Sequence, residues 1–159
     1  MIDERYKAIA DYCQNGIPAI KRTGLTITDM RERYAKILMP IEGNTNHIGI
    51  MYAGSLFSIG EMSGGAIHGA SFDFNKFIPI VKEVNIRFRR PALTDVTLEV
   101  TISKEEADRV QKEAAQKGKA DFTLDLEVKD ANGEAVSIVH AVYQVRTMPE
   151  GFVSPLSKA

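Results

Sequence analysis

Residues 46–68, NHIGIMYAGSLFSIGEMSGGAIH, place the tightest constraint on how this chain folds. A loop of Asn, His and Gly runs into a long stretch of apolar and small side chains, with one carboxylate, Glu61, in its middle. At helical spacing Tyr52, Leu56, Ile59, Ala66, Ile67 and Ala70 fall on one broad side. Gly54, Ser58, Glu61 and Gly65 fall on the other. A helix from about Met51 to His68 with one greasy side packs that side on a sheet. Four glycines in this helix (54, 60, 64 and 65) each cost about 0.5–1 kcal/mol relative to Ala. Close approach of another backbone or a ligand is the natural reason for that cost. A carboxylate in such a niche loses solvation, which raises its pKa and suits a general base near neutral pH. The plain alternative is a Glu that is solvated or salt-bridged on the helix surface.

The segments around this helix carry strand patterns. In VKEVNIRFRRP, Val84, Ile86 and Phe88 alternate with Glu83, Asn85, Arg87 and Arg89, which predicts a half-buried strand. DVTLEVTIS places Val96, Leu98, Val100 and Ile102 on one face. Ser103 and Glu106 form a capping box that opens a helix closing at Gly118. The apolar face of that helix is thin (Ala107, Val110, Ala114), so it is a surface helix. DFTLDLEVK turns Phe122, Leu124, Leu126 and Val128 inward, and Asn132-Gly133 suits a tight hairpin turn. The return strand, EAVSIVHAVYQVR, is apolar on both faces for part of its length, so it sits centrally or against a partner subunit. Upstream, Ile2, Tyr6, Ile9 and Cys13 predict a short amphipathic helix ended by Gly16 and Pro18. Tyr34, Ile37 and Leu38 allow a strand closed by Pro40. The order predicts an α+β fold, one antiparallel sheet wrapped around a long central helix. One domain is expected over 1–159, with an N-terminal helical extension over 1–22 and an inserted surface helix over 104–117.

Composition removes several classes of function. The chain has 159 residues, 44% hydrophobic and 26% charged, an ordinary globular balance. A formal net charge of -1 supplies no basic field for nucleic acid. No apolar run approaches the roughly 18 residues of a membrane span, and the N-terminus lacks the apolar core of a signal peptide. A single cysteine, Cys13, excludes an internal disulfide and fits a reducing compartment. A cytoplasmic location is expected.

The run N-x-x-G-x-x-Y-A-G-S-L-x-x-x-x-E, from Asn46 through Gly49, Tyr52, Ala53 and Gly54 to Glu61, resembles the core motif of hotdog-fold acyl-CoA thioesterases. The phenylacetyl-CoA thioesterase-like group carries N-x-x-G-x-x-H-G-G followed by an acid on the central helix. VNIRFRRPA resembles the strand after that helix, and the layout is similar to the thioesterases grouped with the YiiD C-terminal domain. The resemblance covers most of residues 25–147. It implies an acyl-CoA or acyl-carrier-protein thioester as substrate and no cofactor. Glu61 would be the catalytic carboxylate, activating water or attacking the carbonyl itself. The Gly54 N–H would hold the oxyanion, aided by the helix dipole, and Asn46 would position the water or the thioester. Hotdog sites lie between two subunits, so a homodimer or homotetramer is implied, with Asn46 serving the neighbour's Glu61. His47, Gly49, Tyr52, Ala53 and Ser58 are the expected substrate contacts. Tyr52 stands where the group often has His and Ala53 where it has Gly, so the acyl preference does not carry over.

Other candidates divide between function and structure. Arg87, Arg89 and Arg90 at a strand end would hold coenzyme A phosphates, Arg forks matching phosphate oxygens, or form a solvated sheet face. His47 is either a substrate contact or a solvated loop side chain. His68 follows Glu61 by two turns, about 10.5 Å along the axis, too far for a direct dyad. His140 and Cys13 read as structural. Three scattered histidines and one cysteine offer no metal spacing. Two rivals remain: a hydroxyacyl-thioester dehydratase on the same fold, and an acyl-CoA binding module without turnover.

Overall fold

The computed structural model describes residues 1–158, with side chains to residue 156; Ala159, the last residue of the expected domain, lies outside the described residues. Six strands form one antiparallel sheet in the order β1 (Thr26–Arg31), β2 (Tyr34–Met39), β4 (Val96–Thr101), β5 (Lys119–Lys129), β6 (Ala135–Thr147) and β3 (Phe77–Phe88). The central helix, α3 (Ala53–Ser71), packs against β2, β3, β4, β5 and β6. Its greasy side supplies Leu56, Ile59, Ala66, Ile67 and Ala70 to the core, where they meet Val96, Leu98 and Val100 of β4 and Phe122, Leu124 and Val128 of β5. A sheet around a central helix is therefore what the alternating segments build.

Gly60 and Gly64 lie on the packed side of α3, not the open one. A Cβ at Gly60 would meet Val139 at 3.0 Å, and one at Gly64 would lie 2.0 Å from the Tyr143 ring. Two of the four glycines thus serve the contact with β6, and they bring helix and sheet together more closely than alanines would allow. Tyr143 then donates its hydroxyl to the Glu61 carbonyl at 2.6 Å. Its ring stacks on Phe122 at 5.7 Å, and Phe72 and His68 continue the aromatic row.

Several local expectations need correction. The helix begins at Ala53, two residues later than the pattern suggests, because Tyr52 is extended (φ -60, ψ 135) and Met51 N–H bonds the Ala92 carbonyl. β1 escaped the alternation test because a register shift between Ile27 and Asp29 breaks its period, leaving Ile27 and Met30 both buried. Phe88 does not point into the core; it is 50% exposed at the end of an edge strand. The hairpin after β5 is wider than a two-residue turn. Its loop, 130–134, is closed by the Asp130 carboxylate accepting from the Asn132 and Glu134 N–H groups, with only Gly133 left-handed (φ 81). Half of the capping box forms: Ser103 Oγ accepts from Glu106 N–H at 3.1 Å, while the Glu106 carboxylate turns to Arg109. The helix it opens, α4 (Lys104–Lys117), covers β5 and β6.

At the N-terminus, α1 (Lys7–Asn15) lies over α3 and β1, and the short α2 (Pro18–Lys21) lies against α1. Ile9 approaches α3 at Gly69, where a Cβ would stand 2.4 Å from it. The β1–β2 turn carries the left-handed Arg33 (φ 57), held by its N–H on the Ala70 carbonyl and its carbonyl on Ile102 N–H and Thr101 Oγ1. That stitching ties the far end of α3 to the sheet.

Candidate active site

The Asn46 side chain folds its own loop. Its Oδ1 accepts from Ile48 N–H at 3.0 Å and Ile50 N–H at 3.3 Å, and its carbonyl accepts from Gly49 N–H. Gly49 is left-handed (φ 81), which explains a glycine three residues after the asparagine. Asn44, which the sequence did not single out, anchors the helix start. It is buried, its Nδ2 bonds the Thr23 and Pro40 carbonyls, and its Oδ1 accepts from Ser55 Oγ at 2.8 Å. Only the internal pairing of Asn44 with Ser55 could have signalled it, and that pairing spans the loop.

α3 starts without a side-chain cap. Among the described residues, the Ala53 and Gly54 N–H groups have no acceptor, so they remain two of the orphan donors at the helix's positive end. The Tyr52 ring lies against Gly54, where a Cβ would be 2.3 Å away. Tyr52 does not join the greasy side; it is 58% exposed. Ser58 turns its hydroxyl onto the Gly54 carbonyl at 2.7 Å, which leaves its oxygen as a lone-pair acceptor.

The half-exposed residues of α3 up to Gly65 are Gly54, Ser58, Glu61 and Gly65, with Ala53 and Phe57 more exposed. Glu61 borders an apolar cavity of about 520 Å³. α3 forms its floor with Met62, Gly65 and His68, and β3 forms one side from Phe77 to Val81. Two parts of the wall were not legible in the sequence: Ile9, Tyr12 and Cys13 of α1, and residues 152–156 near the C-terminus. Among the described residues Glu61 is the one carboxylate lining this cavity, and its carboxylate has no hydrogen bond or ion pair. Burial without a compensating partner pushes its pKa above the ordinary carboxylate value.

One chain does not bring the expected catalytic groups together. Gly54 and Glu61 share a face of α3 but stand seven residues, about 10.5 Å, apart along the axis. Asn46, His47 and Gly49 lie beyond Gly54, outside the Glu61 cavity. His68 lines the cavity, yet its ring sits two turns past Glu61 and bonds the Phe77 carbonyl through Nε2 at 3.3 Å.

The basic cluster separates. Arg90 pairs with Glu134, while Arg87 and Arg89 are exposed and unpaired among the described residues. His140 pairs with Asp125 at 2.7 Å on the exposed face of the sheet, which raises its pKa. Among the described residues no group of three or more His, Cys, Asp or Glu is placed to hold a metal, and no helix is long and apolar enough to cross a membrane. Burial pushes the Cys13 thiol up to about 12. Cys13 is therefore expected to resist iodoacetamide in native buffer at pH 8, read by intact mass, and to react fully in denaturant. Rapid native alkylation would show that α1 opens from α3.

Residues 7–145 match the family described as "Domain of unknown function (DUF4442)". The chain belongs to the DUF4442 family. A protein of unknown function from Pseudomonas aeruginosa, described as a "Probable Thioesterase", is 40% identical over 88% of this chain and 94% of that one, with a TM-score of 0.83. The E. coli PaaI protein from the phenylacetic acid degradation operon is 17% identical over 88% of this chain and 94% of its own, with a TM-score of 0.62. A thioesterase from Haemophilus influenzae is 13% identical over 91% and 92% respectively, with a TM-score of 0.66. At those identities the last two show the fold alone. This DUF4442 chain has the hotdog fold, an antiparallel sheet around the central helix α3. No curated protein sequence matches it.

Proposed function

We propose that this protein is a thioesterase that hydrolyses an acyl-CoA or acyl-carrier-protein thioester to the free acid and thiol. The carrying observation is Glu61, a half-buried carboxylate without a partner among the described residues, at the border of an apolar cavity. The cavity takes the acyl chain, and the thioester carbonyl rests by Glu61. The carboxylate removes a proton from the water that attacks the carbonyl, or attacks it directly to form an anhydride that water opens. The tetrahedral oxygen is held by the free N–H of Gly54 at the positive end of α3. The thiolate leaves and takes up a proton. The 40% identical Pseudomonas protein, with its thioesterase description, supports the same reaction.

The two-turn gap within one chain requires the Gly54 donor and the Asn46 amide to come from a second copy. Asn46 Nδ2 donates to no described residue and is available to the partner's site. β3 supports a homodimer. It is a twelve-residue strand at the sheet's edge, with Ile80, Val81 and Phe88 exposed. Edges of that kind pair with another chain, and a two-fold contact would bring each α3 toward its mate. Exposed Phe57, Tyr52 and Ile48 lie on the same helix face and loop. Arg87 and Arg89, at the end of β3, would meet the phosphates of the coenzyme.

The deciding experiment measures thiol release from short, long and aromatic acyl-CoAs together with the mass of the native particle by light scattering. The expected outcome is release from at least one class by a particle of twice the chain mass or a multiple of it. Turnover by a monomer would remove the shared site, and no release from any substrate, carrier-protein thioesters included, would remove the thioesterase.

A further inference from the structure

Residues 149–156 cross the Glu61 cavity from one wall to the other. β1 and β3 are the two edges of the sheet, and α1 lies over β1, so α1 and β3 flank the α3 floor from opposite sides. The segment leaves β6 at the β3 wall, where Met148 N–H bonds the Lys76 carbonyl at 2.9 Å. It reaches the α1 wall in a short turn of helix, Pro155–Lys158, that packs on α1. Between these points the chain folds back: Phe152 N–H bonds the Pro149 carbonyl at 3.1 Å, with Gly151 left-handed (φ 80) inside the turn. Phe152, Ser154, Pro155 and Leu156 line the cavity from this strap. Leu156 packs against the core, whereas Phe152 is 46% exposed. The N–H groups of Phe152 and Leu156 bond within the strap, to the Pro149 carbonyl and to Ser154 Oγ. These two residues therefore meet the body of the protein through their side chains.

The floor beneath the strap carries little bulk. Gly65 lines the cavity, and a Cβ there would meet nothing within 4 Å. The room above α3 is then set by the side chains of the strap. We propose that Phe152 and Leu156 are specificity-determining residues, whose size sets how thick an acyl group the cavity holds. This rests on the reading that the cavity takes the acyl chain. An apolar wall discriminates by fit: a group that fills the space gains apolar burial, and one that overfills it displaces packed side chains. Neither residue belongs to α3 or the sheet, so a change in its size alters the roof and leaves Glu61 in place.

The test measures binding of uncharged thioethers by calorimetry, so it needs no turnover and sets no second carboxylate against Glu61. S-octylpantetheine, with a slender chain, and S-(2-naphthylmethyl)pantetheine, with a thick group, carry the thiol arm that coenzyme A and acyl-carrier proteins share. Both are titrated into the wild type, into the double variant Phe152→Ala with Leu156→Ala, and into Leu156→Trp. The ratio of naphthylmethyl to octyl affinity is expected to rise about tenfold in the double variant, the scale on which apolar pockets separate ligands that differ by a methylene or two. In Leu156→Trp it should fall by a similar factor. The filling variant keeps the test decisive if the double variant does not fold. An unchanged ratio in a folded variant, a shift in the same direction in both, or binding of neither thioether by the wild type overturns the proposal. Thiol release with an unchanged ratio overturns it and leaves the thioesterase standing. A shifted ratio without thiol release supports it and removes only the hydrolysis.

Discussion

Glu61→Gln is expected to lower thioester hydrolysis by about 10²–10⁴-fold, the usual contribution of a positioned base, while making the protein slightly more stable. The two effects share one cause. Burial raises the Glu61 pKa, and no partner among the described residues offsets the desolvation of its charge. A carboxyl group whose pKa is higher in the folded state binds protons more readily there. Its contribution to stability is present below the ordinary value of 4.5 and is lost as pH rises through the raised folded value. At neutral pH the wild type thus carries an unfavourable charge that Gln removes. Glu61 keeps part of its hydration, so the gain is modest, about 1–2 °C in Tm for roughly 0.5 kcal/mol in a chain of this size. The same shift predicts that wild-type kcat/KM falls at low pH with an inflection above 4.5, and that this limb is absent from any residual activity of the variant. A Glu61→Gln protein with full activity would remove Glu61 from the mechanism. Lost activity with lost stability would mean that Glu61 has a structural partner.

The sequence made the framework legible where one period dominated. Val96, Leu98 and Val100 alternate cleanly and are buried in order, and so are Phe122, Leu124 and Val128. The half-exposed face of α3, Gly54 through Gly65, was readable from helical spacing alone. β1 was not, because a bulge shifts its phase by one residue and makes the pattern resemble neither strand nor helix. Phe88 was misread for a related reason. Alternation tells which side a residue faces but not whether anything covers that side, and the end of an edge strand is uncovered.

The candidate site was legible only as far as it is local. Glu61, Gly54 and Asn46 lie within one motif, and the motif's glycines announce close approach without naming the neighbour. Gly60 and Gly64 turned out to approach β6, and Gly65 opens on the cavity. The cavity wall joins residues from 9–17, 61–69, 74–81 and 152–156 with Tyr143. No sequence spacing encodes such a juxtaposition, since it depends on where α1 and the C-terminal segment fold back.

Gly64→Ala and Gly65→Ala should have opposite effects on stability, although the residues are adjacent in one helix. Each change adds the same methyl group and the same helix propensity, worth up to about 1 kcal/mol. At Gly65 a Cβ meets nothing within 4 Å, so that gain is realised and Tm rises. At Gly64 it would lie 2.0 and 2.1 Å from two carbons of the Tyr143 ring. The ring cannot step aside cheaply. It is 1% exposed, stacked on Phe122 at 5.7 Å, and tied by its hydroxyl to the Glu61 carbonyl. Overpacking of this kind costs about 1–3 kcal/mol or more, and moving the ring also breaks a buried hydrogen bond worth about 1 kcal/mol. The net loss is about 1–3 kcal/mol, a Tm drop of about 2–12 °C, measured by calorimetry on both variants beside the wild type. Because the Tyr143 hydroxyl is bonded to the backbone of Glu61 itself, Gly64→Ala should also disturb the carboxylate's position and lower turnover at temperatures where the variant is folded. A Gly64→Ala protein as stable as the wild type would mean that α3 and β6 are not pressed together at this point, and the account of why the helix carries its glycines would fail with it.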